Sequence, residues 1–366
     1  MTSPTRLLLA AALLLAAIPV QAQDQTKKTK SEKKKEKSDT TPPKPGKVSE
    51  FWKGTAPLEI TLTVNLKKIR GDRDKAQAPW ESATFSYVDS GKTVTVPARV
   101  KSRGISRLKI CSLFPPVWVD FASSDTKKLL LDHLNRFKLV TPCKPPNPFE
   151  KYTIEEYNLY RVYGLLTPIG HLARLMHMTV VDSASGKPDF NRYVFALEDP
   201  DEMASRLGGK IFKAQGAVAS DMNTRQTALV GMIEYLLGNT DFSIYALHNV
   251  ELVQLNGDVF PVVYDFDQAG VIAPPYAIPD QKLGIRSVKD RVYRGLCVSP
   301  DTVKSVITEM LSKQSAILGL YEDDVGKLIG NPGVPESKRW FNDVFDELKD
   351  QRFVKNEILG KCRDVR

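Results

Sequence analysis

Histidine, cysteine and long apolar stretches are scarce in this sequence. Its 366 residues include 4 histidines and 4 cysteines, and neither set has the close spacing of a zinc site. The one long apolar run, residues 7–18, is too short to cross a bilayer. The sequence therefore argues against a zinc-binding domain and against a transmembrane protein.

The apolar run has the features of a secretory signal peptide. Arg6 precedes it, and Pro19 and the segment 20–22 (Val-Gln-Ala) follow it. This arrangement predicts a signal peptide over residues 1–22 with cleavage after Ala22. We therefore expect the mature protein to be periplasmic or secreted. No cysteine stands at the cleavage site, so a lipid anchor is not indicated there.

Residues 23–50 form a polar segment that is rich in lysine and ends in several prolines. It holds nine lysines and five acidic residues and shows no apolar periodicity. Because such a composition buries too little apolar surface to fold, we predict a disordered linker. Weak contact of this basic tail with anionic lipid or lipopolysaccharide surfaces is the alternative. Nucleic acid is the wrong partner for an exported protein.

The cysteines are expected to form disulfides, since exported proteins fold in an oxidising compartment. Four cysteines allow three pairings. We favour Cys111 with Cys143, because both lie at the ends of predicted strands, and this choice leaves Cys297 with Cys362.

The hydrophobic pattern divides the rest of the chain into two parts. Residues 51–198 contain several stretches in which apolar and polar residues alternate, which is typical of antiparallel strands. Residues 199–366 are dominated by helical periodicity, interrupted by a predicted hairpin over 250–263. The sequence therefore predicts an α+β protein with a sheet-rich N-terminal lobe and a mainly helical C-terminal lobe.

Two neighbouring elements in the first lobe carry candidate polar residues. The predicted strand 136–141 contains Lys138. The helix predicted after it, 153–166, has Thr153 as its N-cap and Glu156 at the capping-box position. Each polar residue also has a purely structural interpretation: an exposed strand lysine and a helix cap.

An Asp-x-Asp pair follows a short apolar strand at residues 262–264. Asp265 and Asp267 are two positions apart, so on extended chain their side chains point to the same side. Two carboxylates at that distance repel each other unless one holds a proton or a cation lies between them. Mg²⁺ or Mn²⁺ is the expected cation, and such ions commonly carry substrate phosphates. A solvated acidic turn is the alternative.

The order of these features matches the needs of phosphoryl transfer. Such a site requires a lysine on a sheet for the phosphates, a glutamate from a helix to position it, an aspartate near the acceptor hydroxyl, and ligands for the metal. The candidates are Lys138 for the phosphates, Glu156 or else Glu155 for its positioning, Asp241 as the catalytic aspartate, and Asn249, Asp265 and Asp267 for the metal.

These motifs resemble those of the spore coat protein H (CotH) family of atypical secretory protein kinases. The resemblance is carried by residues 238–241 (Gly-Asn-Thr-Asp), Asn249 and residues 264–267 (Tyr-Asp-Phe-Asp), and more loosely by 103–106 and 193–198. It implies a bilobal, atypical protein-kinase-like fold and an ATP-dependent kinase with Mg²⁺ or Mn²⁺. Arg103 would then contact the nucleotide, although no glycine-rich phosphate loop is visible beyond Arg103-Gly104.

The functional hypothesis is a secreted kinase that transfers phosphate from ATP to serine or threonine hydroxyls of an unknown protein substrate. A metal-dependent glycosyltransferase that uses a sugar nucleotide is one alternative, since Asp-x-Asp after apolar residues also marks those enzymes. Antiparallel sheet at the start of the chain argues against it. A catalytically inactive kinase-fold binding protein is the other alternative.

Overall fold

Seven strands form a closed barrel in the first half of the chain. The computed structural model describes residues 44–72, 78–104 and 106–365, so the predicted signal peptide and the linker up to residue 43 lie outside the described residues. Every second residue of the first strand is buried, because strand side chains alternate between the barrel interior and its outer surface. In chain order the strands are β1 (Leu58–Val64), β2 (Glu81–Asp89), β3 (Lys92–Ser102), β4 (Val117–Asp120), β5 (Arg136–Val140), β6 (Ala173–Asp182) and β7 (Pro188–Glu198).

The barrel closes through a parallel pair of strands. β1 pairs with β2 in antiparallel fashion and with β6 in parallel fashion, where Leu58 lies beside Met176 and Val64 beside Asp182. The predicted bilobal kinase-like fold with an antiparallel-sheet N-lobe is therefore wrong. Alternation of apolar and polar residues identifies strands, but it carries no information on which distant strands pair and close a barrel.

Aromatic side chains fill the barrel interior. Phe85, Phe121 and Phe137 are at most 4% exposed, and their ring centroids lie between 5.4 and 6.1 Å apart. Because Phe137 points inward, its neighbour Lys138 on β5 points outward. The barrel thus presents Lys138 to the elements that pack on its outer surface.

Helices cover one side of the barrel and form a second apolar core with it. One long helix lies against β6 and β7, and a nearly fully buried helix later in the chain lies against the final hairpin. In chain order the helices are α1 (Leu66–Gly71), α2 (Ser106–Ile110), α3 (Ser123–Thr126), α4 (Pro148–Leu166), α5 (Pro200–Arg206), α6 (Thr224–Leu237), α7 (Pro300–Ser312), α8 (Gln314–Gly319), α9 (Asp324–Lys327), α10 (Gly333–Lys349) and α11 (Gln351–Phe353).

Helix α4 begins earlier than the sequence predicts. It starts at Pro148, a residue favoured in the first helical turn, so Thr153 lies inside the helix and bonds to the carbonyl of Phe149. The predicted capping box of Thr153 and Glu156 is therefore wrong. Glu156 is free of that role and is buried in the protein interior.

A small second sheet brings two polar loops together. It consists of β8 (Lys210–Ile211), β9 (Val250–Leu255) and β10 (Asp258–Val263), which confirms the predicted hairpin over 250–263. Helix α6 ends at Gly238, whose φ of 67° is the left-handed conformation that favours glycine. The loop after α6 and the loop after β10 are joined where the N–H of Gly270 donates to the carbonyl of Gly238.

Both predicted disulfides are confirmed. Cys111 is bonded to Cys143, and Cys297 is bonded to Cys362. The two bonds indicate an extracellular or periplasmic protein. Within the described part of the chain, no helix is long and apolar enough to cross a membrane.

Candidate functional site

Lys138 lies in a buried polar environment on the outer surface of the barrel. It is 7% exposed, and its ammonium group stands 4.3 Å from the ring centroid of Tyr264 and 5.7 Å from that of Trp118. Burial lowers the pKa of Lys138, and the charge of Glu251 opposes this shift. Strand β5 and the segment that follows β10 therefore meet at this lysine.

Glu251, and not Glu156, is the carboxylate that pairs with Lys138. Glu251 on β9 lies 3.7 Å from Lys138 Nζ and 3.2 Å from Nε2 of the buried His171. Burial by itself raises the pKa of Glu251, but His171 and Lys138 lower it overall. Sequence reasoning missed Glu251 and His171. The available signal was a glutamate within the apolar strand β9.

Glu156 pairs with an arginine that sequence reasoning also missed. Arg107 Nη1 lies 3.6 Å from Glu156 Oε2 and 3.7 Å from Asp267 Oδ2, and Arg107 Nη2 donates to the carbonyl of Thr141. Burial raises the pKa of Glu156 well above its ordinary value. Glu155, the second choice, lies on another side of α4, where it accepts a hydrogen bond from Ser337 of α10.

Arg103 and Asp265 lie close to Lys138. The guanidinium carbon of Arg103 stands 5.9 Å from the ring centroid of Trp118, and its Nε is buried with no hydrogen-bond partner among the described residues. Burial lowers the pKa of Arg103, while Asp265 opposes this shift. Asp265 has a φ of 65°, and its N–H donates to Tyr160 Oη at 3.0 Å. The chain predicted to be extended at Asp265 therefore takes a left-handed backbone conformation there.

The surroundings of Asp267 disfavour the ionised form of its carboxyl group. It is 7% exposed, and burial together with the charge of Asp265 raises its pKa to about 7, although Arg107 acts in the opposite direction. Asp241 contributes to the same rise, so the loop after α6 lies within electrostatic range of the loop after β10. Near neutral pH, Asp267 either holds a proton or needs a further cation.

Asp241 is held from several sides. His248 Nε2 lies 2.8 Å from Asp241 Oδ1, and the side-chain amides of Asn249 and Gln268 donate to Oδ2 at 3.2 and 3.0 Å. The N–H of Asp241 donates to Asn239 Oδ1 at 3.1 Å. These bonds orient the carboxylate while its side chain remains 36% exposed.

An open pocket of about 320 Å³ lies beside Asp241. Its lining includes His248, Gln268, Ile278 and Arg294. This volume falls at the lower end of the range of small-molecule sites, roughly 300–1,000 Å³. Asp241 is therefore accessible to a ligand, whereas the Lys138 cluster is more deeply buried.

The donor set suits a hard cation, although no preformed metal site is present among the described residues. No group of three histidine, cysteine, aspartate or glutamate side chains in those residues is arranged to hold a metal ion. The available donors are the carboxylates of Asp241, Asp265 and Asp267 and the amide of Asn249, and oxygen donors of this kind suit Mg²⁺ and Mn²⁺. Burial, and after it the charge of Asp265, raises the pKa of Asp267, so these two carboxylates repel each other when both are ionised.

The structure thus brings the predicted residues into two adjoining groups. Lys138, Arg103, Glu156, Asp265 and Asp267 belong to the buried charged cluster, which also includes Arg107, Glu251 and His171. Asp241 and Asn249 lie in the more exposed loop after α6. Their catalytic and metal-binding roles remain predictions.

Comparison with known protein families finds no family that matches this chain, and a search of curated proteins finds no significant match. The resemblance to the CotH family therefore depends on the short motifs alone.

Proposed function

We propose that this protein is a phosphotransferase that moves a phosphoryl group from ATP to a serine or threonine hydroxyl of a protein, with Mg²⁺ or Mn²⁺. The observation that carries the proposal is that Lys138, Arg103 and Asp265, from distant segments of the chain, lie in one buried charged cluster, while Asp241 in the adjoining loop lies within electrostatic range of Asp267. The proposal does not require a kinase fold, because chemistry depends on the site rather than on the architecture that holds it.

The buried cations would hold the phosphates. Lys138 and Arg103 both flank Trp118, and each lies within range of Asp265. The unpartnered Nε of Arg103 is a donor that a phosphate oxygen would satisfy. Glu251 and His171 would keep Lys138 in place before the nucleotide binds.

Asp241 would act on the acceptor hydroxyl. The hydroxyl oxygen forms a bond to the γ-phosphorus as the bond from that phosphorus to the ADP oxygen breaks, and the hydroxyl proton passes to Asp241. Hydrogen bonds from Asn249 and Gln268, and the contact with His248, hold the carboxylate for this role. A divalent ion held by Asp265, Asp267 and Asn249 would neutralise charge on the phosphates.

We also propose that the protein is exported by its N-terminal segment, with cleavage after Ala22. The two disulfides support an oxidising compartment for the folded domain. The basic segment that precedes the domain would then remain as a linker outside the cytoplasm.

Transfer of labelled phosphate tests the proposed activity. The mature protein is incubated with γ-labelled ATP, Mn²⁺ and a mixture of serine- and threonine-containing peptides. We expect label on peptide or on the protein itself, and we expect Asp241→Asn to reduce transfer by a factor of about 100 or more, because it removes the proton acceptor without changing its shape. Asp258→Asn, at the exposed tip of the β9–β10 hairpin, is the matched control and should transfer normally.

A melting curve with ATP and Mn²⁺ complements the assay. Nucleotide at 100 times its dissociation constant should stabilise the protein by about 2.7 kcal/mol. Undiminished transfer by Asp241→Asn would contradict the assignment of the catalytic aspartate. Transfer from a labelled sugar nucleotide and not from ATP would favour the glycosyltransferase instead.

A further inference from the structure

A second, smaller pocket adjoins the one beside Asp241. Its volume is about 150 Å³, enough for the end of a side chain. Phe242, Ser243 and Arg294 line both pockets. A polypeptide that places a hydroxyl at Asp241 therefore has a neighbouring residue within reach of the smaller pocket.

Two arginines line the smaller pocket. They are Arg294 and Arg363, and they lie close enough that Arg363 adds to the lowering of the pKa of Arg294 that burial causes. Of the carboxylates that act on Arg294, those of Asp280 and Asp241 line the larger pocket, and no acidic residue of the described chain lines the smaller one. The smaller pocket therefore has positive charge that its own lining does not neutralise.

A buried acid, Glu234, acts on Arg294 from outside both pockets. Glu234 is 1% exposed, and burial raises its pKa well above the ordinary value. Arg294 donates to the carbonyl of Thr240 and stacks on Phe242, but its buried Nε has no hydrogen-bond partner among the described residues.

The walls around these arginines are largely apolar, and one lining residue, Tyr245, is exposed to solvent. Ile244, Tyr245, Leu296 and Val365 complete the lining, and Tyr245 is 51% exposed. Ile278, at the larger pocket, is 77% exposed. Exposed apolar side chains on both sides of a cationic pocket suit a polypeptide better than a free small anion, because a polypeptide brings apolar contacts as well as charge.

We propose that the smaller pocket binds the carboxylate of an acidic side chain close to the acceptor hydroxyl, so that the substrate is an acidic polypeptide segment. A carboxylate accepts hydrogen bonds from guanidinium groups in a fixed geometry and separates two like charges. The identity of the acceptor rests on the proposed function, but the binding of an acidic peptide does not require phosphate transfer.

The C-terminal disulfide holds Arg363 at this pocket. Cys362 is bonded to Cys297, the N–H of Cys297 donates to the carbonyl of Arg363, and the N–H of Arg363 donates to the carbonyl of Gly295. Arg363 itself is exposed, so its substitution leaves the packed interior unchanged. It is therefore a better test residue than Arg294, which also supports the Asp241 loop.

Peptide binding without nucleotide tests the proposal. Each fluorescein-labelled short peptide carries one serine and one glutamate. The position of the glutamate varies across the set, on either side of the serine, and every peptide has a matched peptide with glutamine in place of the glutamate. We expect glutamate to tighten binding to the mature protein by about tenfold in at least one position, the effect of one charge-assisted hydrogen bond. Arg363→Gln should abolish this preference, whereas Arg339→Gln, an exposed arginine of α10, should retain it.

Equal affinity for the glutamate and glutamine peptides at every position would overturn the proposal, and so would a preference that survives Arg363→Gln. A preference for glutamate without any phosphate transfer would leave the pocket assigned and refute the proposed function. Phosphate transfer without a preference for glutamate would support the proposed function and refute the assignment of the pocket.

Discussion

Lys138, Glu251 and His171 form a row of ionisable groups inside the protein. Lys138 and Glu251 have side chains that are 9% and 14% exposed, and His171 is fully buried. Two buried charges stabilise a fold only while both are present, because removal of one leaves the other without compensation. Burial lowers the pKa of Lys138, and the charge of Glu251 opposes this shift.

Glu251→Gln tests this interdependence. We expect it to lower the free energy of unfolding by about 3 kcal/mol, since it leaves the buried Lys138 ammonium group without its ion-pair partner. Urea denaturation at neutral pH measures the change. Glu59→Gln is the matched control because Glu59 contacts His177 at 3.0 Å on the surface, where its side chain is 63% exposed. It should cost less than about 1 kcal/mol. Equal losses would contradict a buried ion pair at Lys138.

Helix α4 carries two successive glutamates that serve different interfaces. Neighbouring residues on a helix point about 100° apart. Glu156 consequently reaches Arg107 of α2, while Glu155 reaches Ser337 of α10. Burial raises the pKa of Glu155 to about 8, although the hydrogen bond from Ser337 acts in the opposite direction. The contact between α4 and α10 therefore contains an acid that is protonated below that pH.

The pH dependence of stability tests this interface. The pKa of Glu155 is higher in the folded protein, about 8, than its ordinary value of 4.5. Its contribution to stability is thus fully present below pH 4.5 and is lost as the pH rises through 8. The side chain of the Glu155→Gln variant cannot ionise. We therefore expect this variant to be as stable as the wild type near pH 4.5 and more stable at pH 8. The difference in the free energy of unfolding should grow by up to about 1.4 kcal/mol per pH unit.

Unfolding curves across this pH range give the comparison. Glu357→Gln, an exposed substitution near the C-terminus, should follow the wild type at every pH. A constant difference between Glu155→Gln and the wild type would show that Glu155 does not titrate in this range.

Across the whole molecule, each disulfide holds an arginine at a different part of the site. Cys111 directly follows α2, which carries Arg107 to Glu156 and Asp267. Cys362 directly precedes Arg363 at the smaller pocket. The first bond therefore supports the buried charged cluster, and the second supports the acidic-peptide pocket.

Paired serine substitutions should separate these two effects. Loss of either bond removes a constraint on loops of 32 and 65 residues and should lower the free energy of unfolding by about 4 kcal/mol. Cys111→Ser with Cys143→Ser should also weaken the stabilisation by ATP and Mn²⁺. Cys297→Ser with Cys362→Ser should instead weaken the preference for glutamate peptides. Identical effects of the two pairs on both ligands would contradict this division.

Local pattern was enough to predict several elements. Both disulfide pairings were also predicted correctly, although Cys111 follows helix α2 and not the strand on which that pairing was based. The β9–β10 hairpin follows from a turn at 256–258 between apolar strands, and the end of α6 follows from Gly238. Lys138, Asp241, Asp265 and Asp267 could be selected because each stands beside an apolar element. These features depend on neighbours in sequence, so the sequence alone determined them.

Tertiary structure alone decided how the elements close and which charges pair. The parallel pairing of β1 with β6 makes a barrel of what would otherwise be an open antiparallel sheet. The fold brings Glu251 of β9 to Lys138 of β5, and the position of α2 gives Glu156 the partner Arg107. Residues distant in sequence meet only after the chain has folded, and in a buried site the nearest opposite charge sets the ion pair.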